Sequence, residues 1–446
     1  MTTIRYAHLA DIHLGSFREK KLKTLHINQF IKAIDTILES NIDFVLIAGD
    51  IFNVALPPLE YIEIIIEQIQ RMQQKGIQTY VIGGSHDYSL THKSFIDILD
   101  KTNIWTNVSQ YELTDTQSIQ LTPTTITIKN TPIQLCGITG KKNALDNTIY
   151  SNLQNKQTNP SATNNNNNNN LPYSIFLFHT TITQLLTPNM QQLLTKQFST
   201  TQLPQGFNYY AGGHIHIPNS ITTQQEQIIA YCGPLFPNSF AEFKLKHSGF
   251  NIVEFDAQTH KQTLEYVPLE LPSIHHISID CSNQSLQECY DTITQTIHSY
   301  TQNDSTHFEN AIVLFELSGE LNEISSSIDT SQFVDMFYDL NAYIVLKNTT
   351  KLTTKKHNAT SRHTNEFSTT QELEENIVKQ IIENSTKQDN EQDTTNPLYS
   401  SDFKIELAKQ LLKINPNKEE DETNYHFEER VYSEVREILN TPNKKK

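Results

Sequence analysis

The chain is poor in the residues that build stapled, membrane-spanning or nucleic-acid-coating proteins. Only four cysteines occur among 446 residues, Cys136, Cys232, Cys281 and Cys289, and no two form a CxxC pair. That scatter argues against a disulfide frame or a zinc knuckle and reads as reduced thiols of a cytosolic protein. No apolar run approaches the ~20 residues that span a bilayer. Met1 to Arg5 lead straight into an apolar strand, without a secretory pattern. Basic residues are in deficit too: 34 Lys and Arg face 50 Asp and Glu, a net charge of −16. A protein that coats nucleic acid through its own charge would be basic. An anionic substrate would here be held by bound cations rather than by Lys and Arg.

What is present is an alternation of strand and helix patterns over the first hundred residues. Ile4–Ala10, Phe44–Ala48 and Gln78–Ile82 read as strands. Between them, Ile27, Phe30, Ile31, Ile34 and Leu38, then Ile62, Ile65, Ile69 and Met72, repeat at helical spacing, and Ser94–Leu99 reads as a short helix. This rhythm predicts a layered α/β domain. Further strands are expected at Thr124–Ile138, Ile175–Phe178, Phe207–Ala211, Gln227–Cys232, Gly249–Phe255 and Thr263–Val267. A polar insertion at about 141–172, ending in the run Asn164–Asn170, is expected to be a surface loop without a core. A second unit of strand, helix, strand, helix, strand is expected over 271–348. A polar linker with one amphipathic helix, carrying Leu373, Ile377 and Ile381, follows over 349–399. Residues 400–446 hold two more amphipathic segments, with Phe403, Leu407, Leu411 and Ile414 on one, and Phe427, Val431, Val435 and Ile438 on the other. Helices this short are marginal alone, so their apolar faces need a partner.

Five short motifs each close an apolar run: Asp11-Ile-His13, Gly49-Asp50, Gly84-Ser-His-Asp87, His179 and Gly213-His-Ile-His216. Ligands in α/β sheets gather at the carboxyl ends of strands, so all five are expected at one edge. The residue types suit two divalent ions about 3.5–4 Å apart, which need a bridging carboxylate, here Asp50. Asp-x-His and His-x-His pairs supply further oxygen and imidazole ligands. Mixed ligation of that kind favours Mn, Fe, Zn or Co over Mg or Ca. Each motif alone is weak, since the chain has 17 histidines and most need no catalytic role. His8 reads as core, and His26 as one of many without a role. The five motifs in order are the signal.

In that order they resemble the calcineurin-like metallophosphoesterases. Ala7-His-Leu-Ala-Asp-Ile-His-Leu-Gly15, Ile47-Ala-Gly-Asp-Ile-Phe52, Tyr209-Tyr-Ala-Gly-Gly-His-Ile-His216 and Tyr231-Cys-Gly-Pro234 are similar to the SbcD/Mre-type nucleases of DNA double-strand-break repair. The resemblance is dense over 1–255 and architectural beyond. It implies a layered β-sandwich metallophosphoesterase core flanked by helices over 1–270, a small α+β capping domain at 271–348 and a helical C-terminal tail. It implies that Asp11, His13, Asp50 and His216 hold one ion, and that Asp50, Ser85, His179 and His214 hold the second. Manganese is the expected metal. His86 would sit at the scissile phosphate, with Asp87 and Asn53 behind the ligands. Two positions depart from the family pattern: Ser85 stands where Asn is usual, and Asn53 where His or Asp is frequent. These departures bear on rate, metal preference and the balance of exonuclease and endonuclease activity. The implied partners are DNA, a second copy of the chain, and an SMC-like coiled-coil ATPase docked by the helices of 400–446. The implied setting is cytoplasmic and nucleoid-associated. Arg18, Lys20 and Lys21, just past the first motif, are candidate phosphate contacts, as are Lys141, Lys142, Lys244 and Lys246. Two other readings stay open: a metallophosphoesterase acting on nucleotides or phosphoproteins, and a weakly catalytic subunit that tethers DNA ends.

Overall fold

In the computed structural model, the described residues are 2–88, 94–113, 119–141, 149–150, 172–193, 198–322 and 328–354, with residues 407, 430, 433, 434 and 436. Two six-stranded mixed sheets form the centre. The first runs β14 (Gln262–Pro268), β13 (Gly249–Asp256), β1 (Thr3–Leu9), β2 (Phe44–Ala48), β3 (Gln78–Ile82), β4 (Thr106–Asn107), and β1 to β4 are parallel. The second runs β11 (Asn219–Thr222), β12 (Ile228–Tyr231), β10 (Tyr209–Gly213), β9 (Tyr173–His179), β8 (Thr131–Ile138), β7 (Thr124–Ile128), with β8, β9, β10 and β12 parallel. A hairpin of β5 (Tyr111–Leu113) and β6 (Ile119–Leu121) stands apart.

Side-chain alternation explains the layers. From the first sheet, Tyr6, Phe44, Leu46, Tyr80 and Ile82 face Leu135, Tyr173, Ile175, Leu177 and Tyr209 of the second. The intervening residues Ala7, Leu9, Val45, Ile47 and Val81 turn outward onto α1 (Lys20–Glu39) and α2 (Leu59–Gln73). Every residue of β2 is therefore buried. On α1 the buried stripe is Leu22, His26, Gln29, Phe30, Ala33, Ile34 and Ile37, rotated from the expected face so that Ile27 and Leu38 lie partly buried at its margin. On α2, Ile62, Ile65, Ile69 and Met72 are buried as spaced. α3 (Phe95–Lys101) opens with a Ser94/Asp97 capping box.

A third sheet is parallel: β15 (Ile274–Asp280), β16 (Ile312–Leu321) and β17 (Ile344–Thr354), covered on one side by α6 (Leu286–Asn303) and α7 (Ser331–Asp339). Its other side packs on the body, where Ile274, Ile312, Leu314 and Ile344 meet Leu22, Phe236 and Phe243. Residues 1–354 form one compact unit. The expected start of the second unit at residue 271 thus marks a change of sheet without a break in packing. Thr349–Thr354, expected as the start of the linker, are strand: their β-branched threonines extend the ladder with β16.

Among the described residues two further α-helices are α4 (Pro188–Leu193) and α5 (Phe240–Leu245). Within the expected surface insertion, Ile149 and Tyr150 are helical and buried, with the Tyr150 ring 5.1 Å from Phe198. Their apolar side chains fill the outer face of the second sheet, so that stretch is not wholly loop. The Asn164–Asn170 run, the helix of 349–399 and nearly all of 400–446 lie outside the described residues. Leu407, Arg430, Ser433, Glu434 and Arg436 are helical.

Candidate metal centre

The carboxyl ends of β1, β2 and β3 in one sheet and β9 and β10 in the other meet at one edge. Each contributes one motif. Asp11, His13, Asp50 and His214 have positive φ, from 51° to 93°. Such angles are uncommon outside glycine and cluster at functional sites. Here they turn the side chains out of the strand direction into a shared space. The loops are held by backbone bonds that prolong the ladder beyond the strands: Asp11 N–H donates to Gly49 O, His13 N–H to Asp50 O and Leu14 N–H to Ile51 O, at 2.9 to 3.0 Å.

Three ligand groups result: Asp11, His13 and His216; His13, Asp50 and His86; and Asp50, His179 and His214. In each group the candidate ligand atoms lie within 4.8 Å of one another. Asp50 belongs to two of them. Its Oδ1 accepts the His86 N–H at 2.7 Å. Its Oδ2 lies 3.0 Å from His179 Nε2, 3.5 Å from His13 Nε2 and 3.5 Å from Ser85 Oγ. Asp11 Oδ1 accepts the His214 N–H at 2.9 Å.

Second contacts set the imidazole tautomers. His179 Nδ1 donates to Ala48 O at 2.8 Å, and His86 Nδ1 to Asn53 O at 2.8 Å. His216 Nδ1 faces Glu242 Oε2 at 3.0 Å. Each of the three rings therefore keeps Nε2 for the centre. Asp87, also buried, accepts three backbone N–H groups, from Ile51, Phe52 and Gly84, at 2.9 to 3.1 Å. It thereby clamps the β2 loop to the β3 loop. Asn53 acts through its backbone carbonyl, so its side chain is not what holds His86.

The donor set fits two divalent ions on its own geometry. Asp11 Oδ2 and His179 Nε2 are buried without a hydrogen-bond partner. His179 Nε2 lies close to Asp50 Oδ2 yet is not aligned to donate to it, which is the arrangement of two ligands converging on a third atom. His13 Nε2 and His216 Nε2 point together at 3.2 Å. Buried groups left this way cost free energy unless a cation satisfies them. Glycines keep the space open: a Cβ at Gly49, Gly140 or Gly213 would fall under 3.0 Å from the His179 ring.

Electrostatics sort the histidines. Burial pushes His13 down to about 3 and His214 to about 4, so both are neutral ligands at physiological pH. For His179 burial acts the same way, but the Asp50 carboxylate overrides it and pushes the pKa up to about 10. Burial would raise Asp50, yet His179 and His13 hold it well below the usual range. Asp87 is pushed up to about 6, by burial and then by Asp50.

Two positioning residues escape sequence reading. Glu242, in α5, holds His216, and its only signal is the capping pattern Ser239-Phe-Ala-Glu242. His26, given no role above, uses Nε2 to donate to Ile12 O at 2.6 Å and so props the first motif from below. The candidate phosphate contacts divide. Arg18 and Lys20 are exposed. Lys21 turns to the third sheet, donating to Tyr343 O at 2.6 Å and lying over the Tyr338 and Tyr343 rings. Lys244 pairs with buried Glu316, and Lys246 donates to Ile274 O, so both tie the third sheet to the body. Lys141 lies over the Tyr88 ring, and Lys142 is outside the described residues.

A pair of facing mixed sheets with an Asp/His centre at their shared edge defines a metallophosphoesterase. Residues 4–218 match the calcineurin-like phosphoesterase family, and the chain belongs to it. Within it, the chain is similar to archaeal DNA double-strand break repair proteins Mre11. It is 24% identical to that of Methanocaldococcus jannaschii over 292 residues, 62% of this chain and 67% of the relative. It is 22% identical to that of Sulfolobus acidocaldarius over 321 residues, 70% and 74% of the two chains. A shorter stretch of 98 residues, 20% of this chain and 24% of the relative, is 31% identical to the uncharacterized metallophosphoesterase YhaO of Bacillus subtilis. Among the described residues, no helix is long and apolar enough to cross a membrane.

Proposed function

We propose that this chain is a metal-dependent DNA nuclease that hydrolyses phosphodiester bonds at double-strand breaks, as exonuclease and endonuclease. The observation that carries the reading is Asp50, a buried carboxylate shared by two ligand groups, as a bridge between two ions requires. The names of the archaeal relatives point to the substrate. Asp11, His13, Asp50 and His216 hold one ion, and Asp50, Ser85, His179 and His214 the other. Manganese is the proposed metal. When bound, the ions supply Lewis acidity and lower the pKa of water. His86 does the proton work: its Nδ1–H is donated to Asn53 O, which aims Nε2 at the centre, and in the doubly protonated form the ring gives its Nε2 proton to the leaving oxygen. Arg18 and Lys20 contact backbone phosphates. The third sheet caps the centre, residues 400–446 dock on an SMC-like coiled-coil ATPase, and the chain works as a homodimer in the cytoplasm at the nucleoid.

The test is a cleavage assay in Mn²⁺ and in Mg²⁺ on linear duplex DNA, single-stranded DNA and a small phosphodiester, comparing wild type with Asp50→Asn. The wild type degrades DNA, and the variant is at least about 100-fold slower, because one substitution weakens both ion sites. Equal degradation by the two proteins would sink the nuclease reading. Hydrolysis of the small ester with none of DNA would move the chain to nucleotide or phosphoprotein substrates.

A further inference from the structure

Away from the metal centre, two thiols meet that the proposed hydrolysis does not use. Cys281 follows the last residue of β15, and Cys289 lies in the first turn of α6. Both are fully buried in the core of the third sheet, and their Sγ atoms are 2.6 Å apart. Non-bonded heavy atoms rest at about 3.5–4 Å, and a disulfide holds its sulfurs near 2.05 Å. The two sulfurs are thus already inside ordinary contact. The backbone on both sides is fixed independently of them. Cys281 N–H donates to Ser318 O at 2.8 Å and Cys289 N–H to Ser285 O at 3.0 Å, and a Ser285/Glu288 capping box pins the start of the helix. Cys136 and Cys232 lie in other clusters of the body. The expectation of four unpaired thiols, drawn from their spacing, takes no account of this approach.

We propose that Cys281 and Cys289 form a redox modification site that closes to an intramolecular disulfide by exchange with a low-molecular-weight disulfide. The bond would tie the end of β15 to the first turn of α6 within the third sheet. Their mutual contact separates the thiols in acidity, lowering Cys289 and raising Cys281, so Cys289 ionises first. Its thiolate attacks the oxidant, forming a mixed disulfide and expelling one thiolate. Cys281 then loses its proton, attacks the Cys289 sulfur and expels the second. Two electrons pass to the oxidant, which leaves as two thiols carrying the two protons.

The experiment equilibrates the full chain in mixtures of reduced and oxidised glutathione, quenches in acid, and alkylates free thiols in denaturant. Intact mass counts the protected thiols, and cleavage after Glu288 separates Cys281 from Cys289 unless a bond joins them. A parallel sample refolded from denaturant in the same buffers removes slow access to the buried sulfurs as a cause of failure. The expected result is protection of two of the four thiols with the linked peptides recovered, in folded protein by circular dichroism. In Cys281→Ser and Cys289→Ser all three remaining thiols alkylate, whereas Cys136→Ser keeps the bond. Full alkylation of the wild type in both samples, a bond to Cys136 or Cys232, a lasting glutathione adduct, or closure only with loss of fold overturns the proposal.

Discussion

Replacing Gly84 by alanine tests the architecture of the centre with a single methyl group. A Cβ at this position would fall well under 3.0 Å from three atoms of Asp50: its backbone N, its Oδ1 and its Cγ. The nearest of these is a backbone atom, and the carboxylate that carries the other two is short and held. Asp50 Oδ1 is pinned by the His86 N–H, and the Asp50 backbone by the ladder to His13. Ordinary contact begins near 3.4 Å, so Asp50 or the β3 loop must move by roughly 1 Å, a misplacement worth on the order of 100-fold in rate. Overpacking of this kind also costs about 1–3 kcal/mol of stability. The matched control is Gly76→Ala. Gly76 ends the α2 turn at φ +80° with nothing within 4 Å of an added Cβ. That change strains the backbone by about 1 kcal/mol but touches no ligand. Gly84 carries no such φ penalty, so the two variants separate strain from displacement. The assay is hydrolysis of a small phosphodiester across a Mn²⁺ titration, with thermal melting of both apoproteins. Gly84→Ala should lose about two orders of magnitude in rate even at saturating metal, and Gly76→Ala none. If Gly84→Ala stays within about threefold of wild type, the placement of Asp50 against the β3 loop is wrong.

Glu242→Ala should weaken metal binding by about 10–100-fold through loss of the His216 orientation, with little change in rate at saturating metal; an unaltered calorimetric affinity would refute the role of α5. For His179 the sign runs from its raised pKa. Without metal its protonated form stabilises the fold fully below about pH 6.5, and that contribution is lost as pH rises through about 10. Metal binding needs the neutral ring, so at least one proton is released at pH 7 to 9 and affinity climbs about tenfold per pH unit. Calorimetry in two buffers of different ionisation enthalpy reads this directly, and a pH-independent affinity with no proton release rejects it. Deleting residues 400–446 should leave metal-dependent cleavage intact and abolish capture of the coiled-coil ATPase; unchanged capture sinks the docking assignment.

The strand ends were legible because two signals coincide there. A buried parallel strand is a continuous apolar run, and a polar ligand must interrupt it where the chain leaves the sheet. Phe44–Ala48 and Gln78–Ile82 match their strands residue for residue, and Asp50 and Ser85 follow after one and two glycines. Glu242 and His26 were not legible, because each acts on a partner far enough along the chain that no local period links them. Glu242 reaches His216 from a six-residue helix whose capping pattern serves equally well as plain punctuation. The contacts that Lys21, Lys244 and Lys246 make to the third sheet were not legible for a related reason. A lysine on an exposed helix looks alike in sequence whether it meets solvent or the Tyr343 carbonyl and Glu316 of another sheet.

The strained backbone and the missing asparagine bear on one question, how evenly the two ions are held. Left-handed φ at Asp11, His13, Asp50 and His214 costs of order 1 kcal/mol or more at each, and persists only where the surroundings over-determine it. The irregular ladder from Asp11 to Leu14 supplies that constraint for Asp11, His13 and Asp50, and Asp87 reinforces it with three backbone bonds. Three of the four residues of the proposed first site, Asp11, His13 and Asp50, are therefore fixed by backbone bonds before any ion arrives. The other site shares Asp50 but draws on Ser85, whose Oγ lies 3.5 Å from Asp50 Oδ2 on a side chain shorter than asparagine. It also includes His179, which must give up a proton that Asp50 helps to hold. Of these features only Ser85 is confined to the second site, because His216 of the first also has a raised pKa, burial being overridden by Glu242 and Asp11. Under the proposed ligand assignment, the shorter Ser85 side chain makes the second site the weaker one, so the expected outcome of a metal titration is that the Asp11 site fills first and activity appears only as the Ser85 site fills.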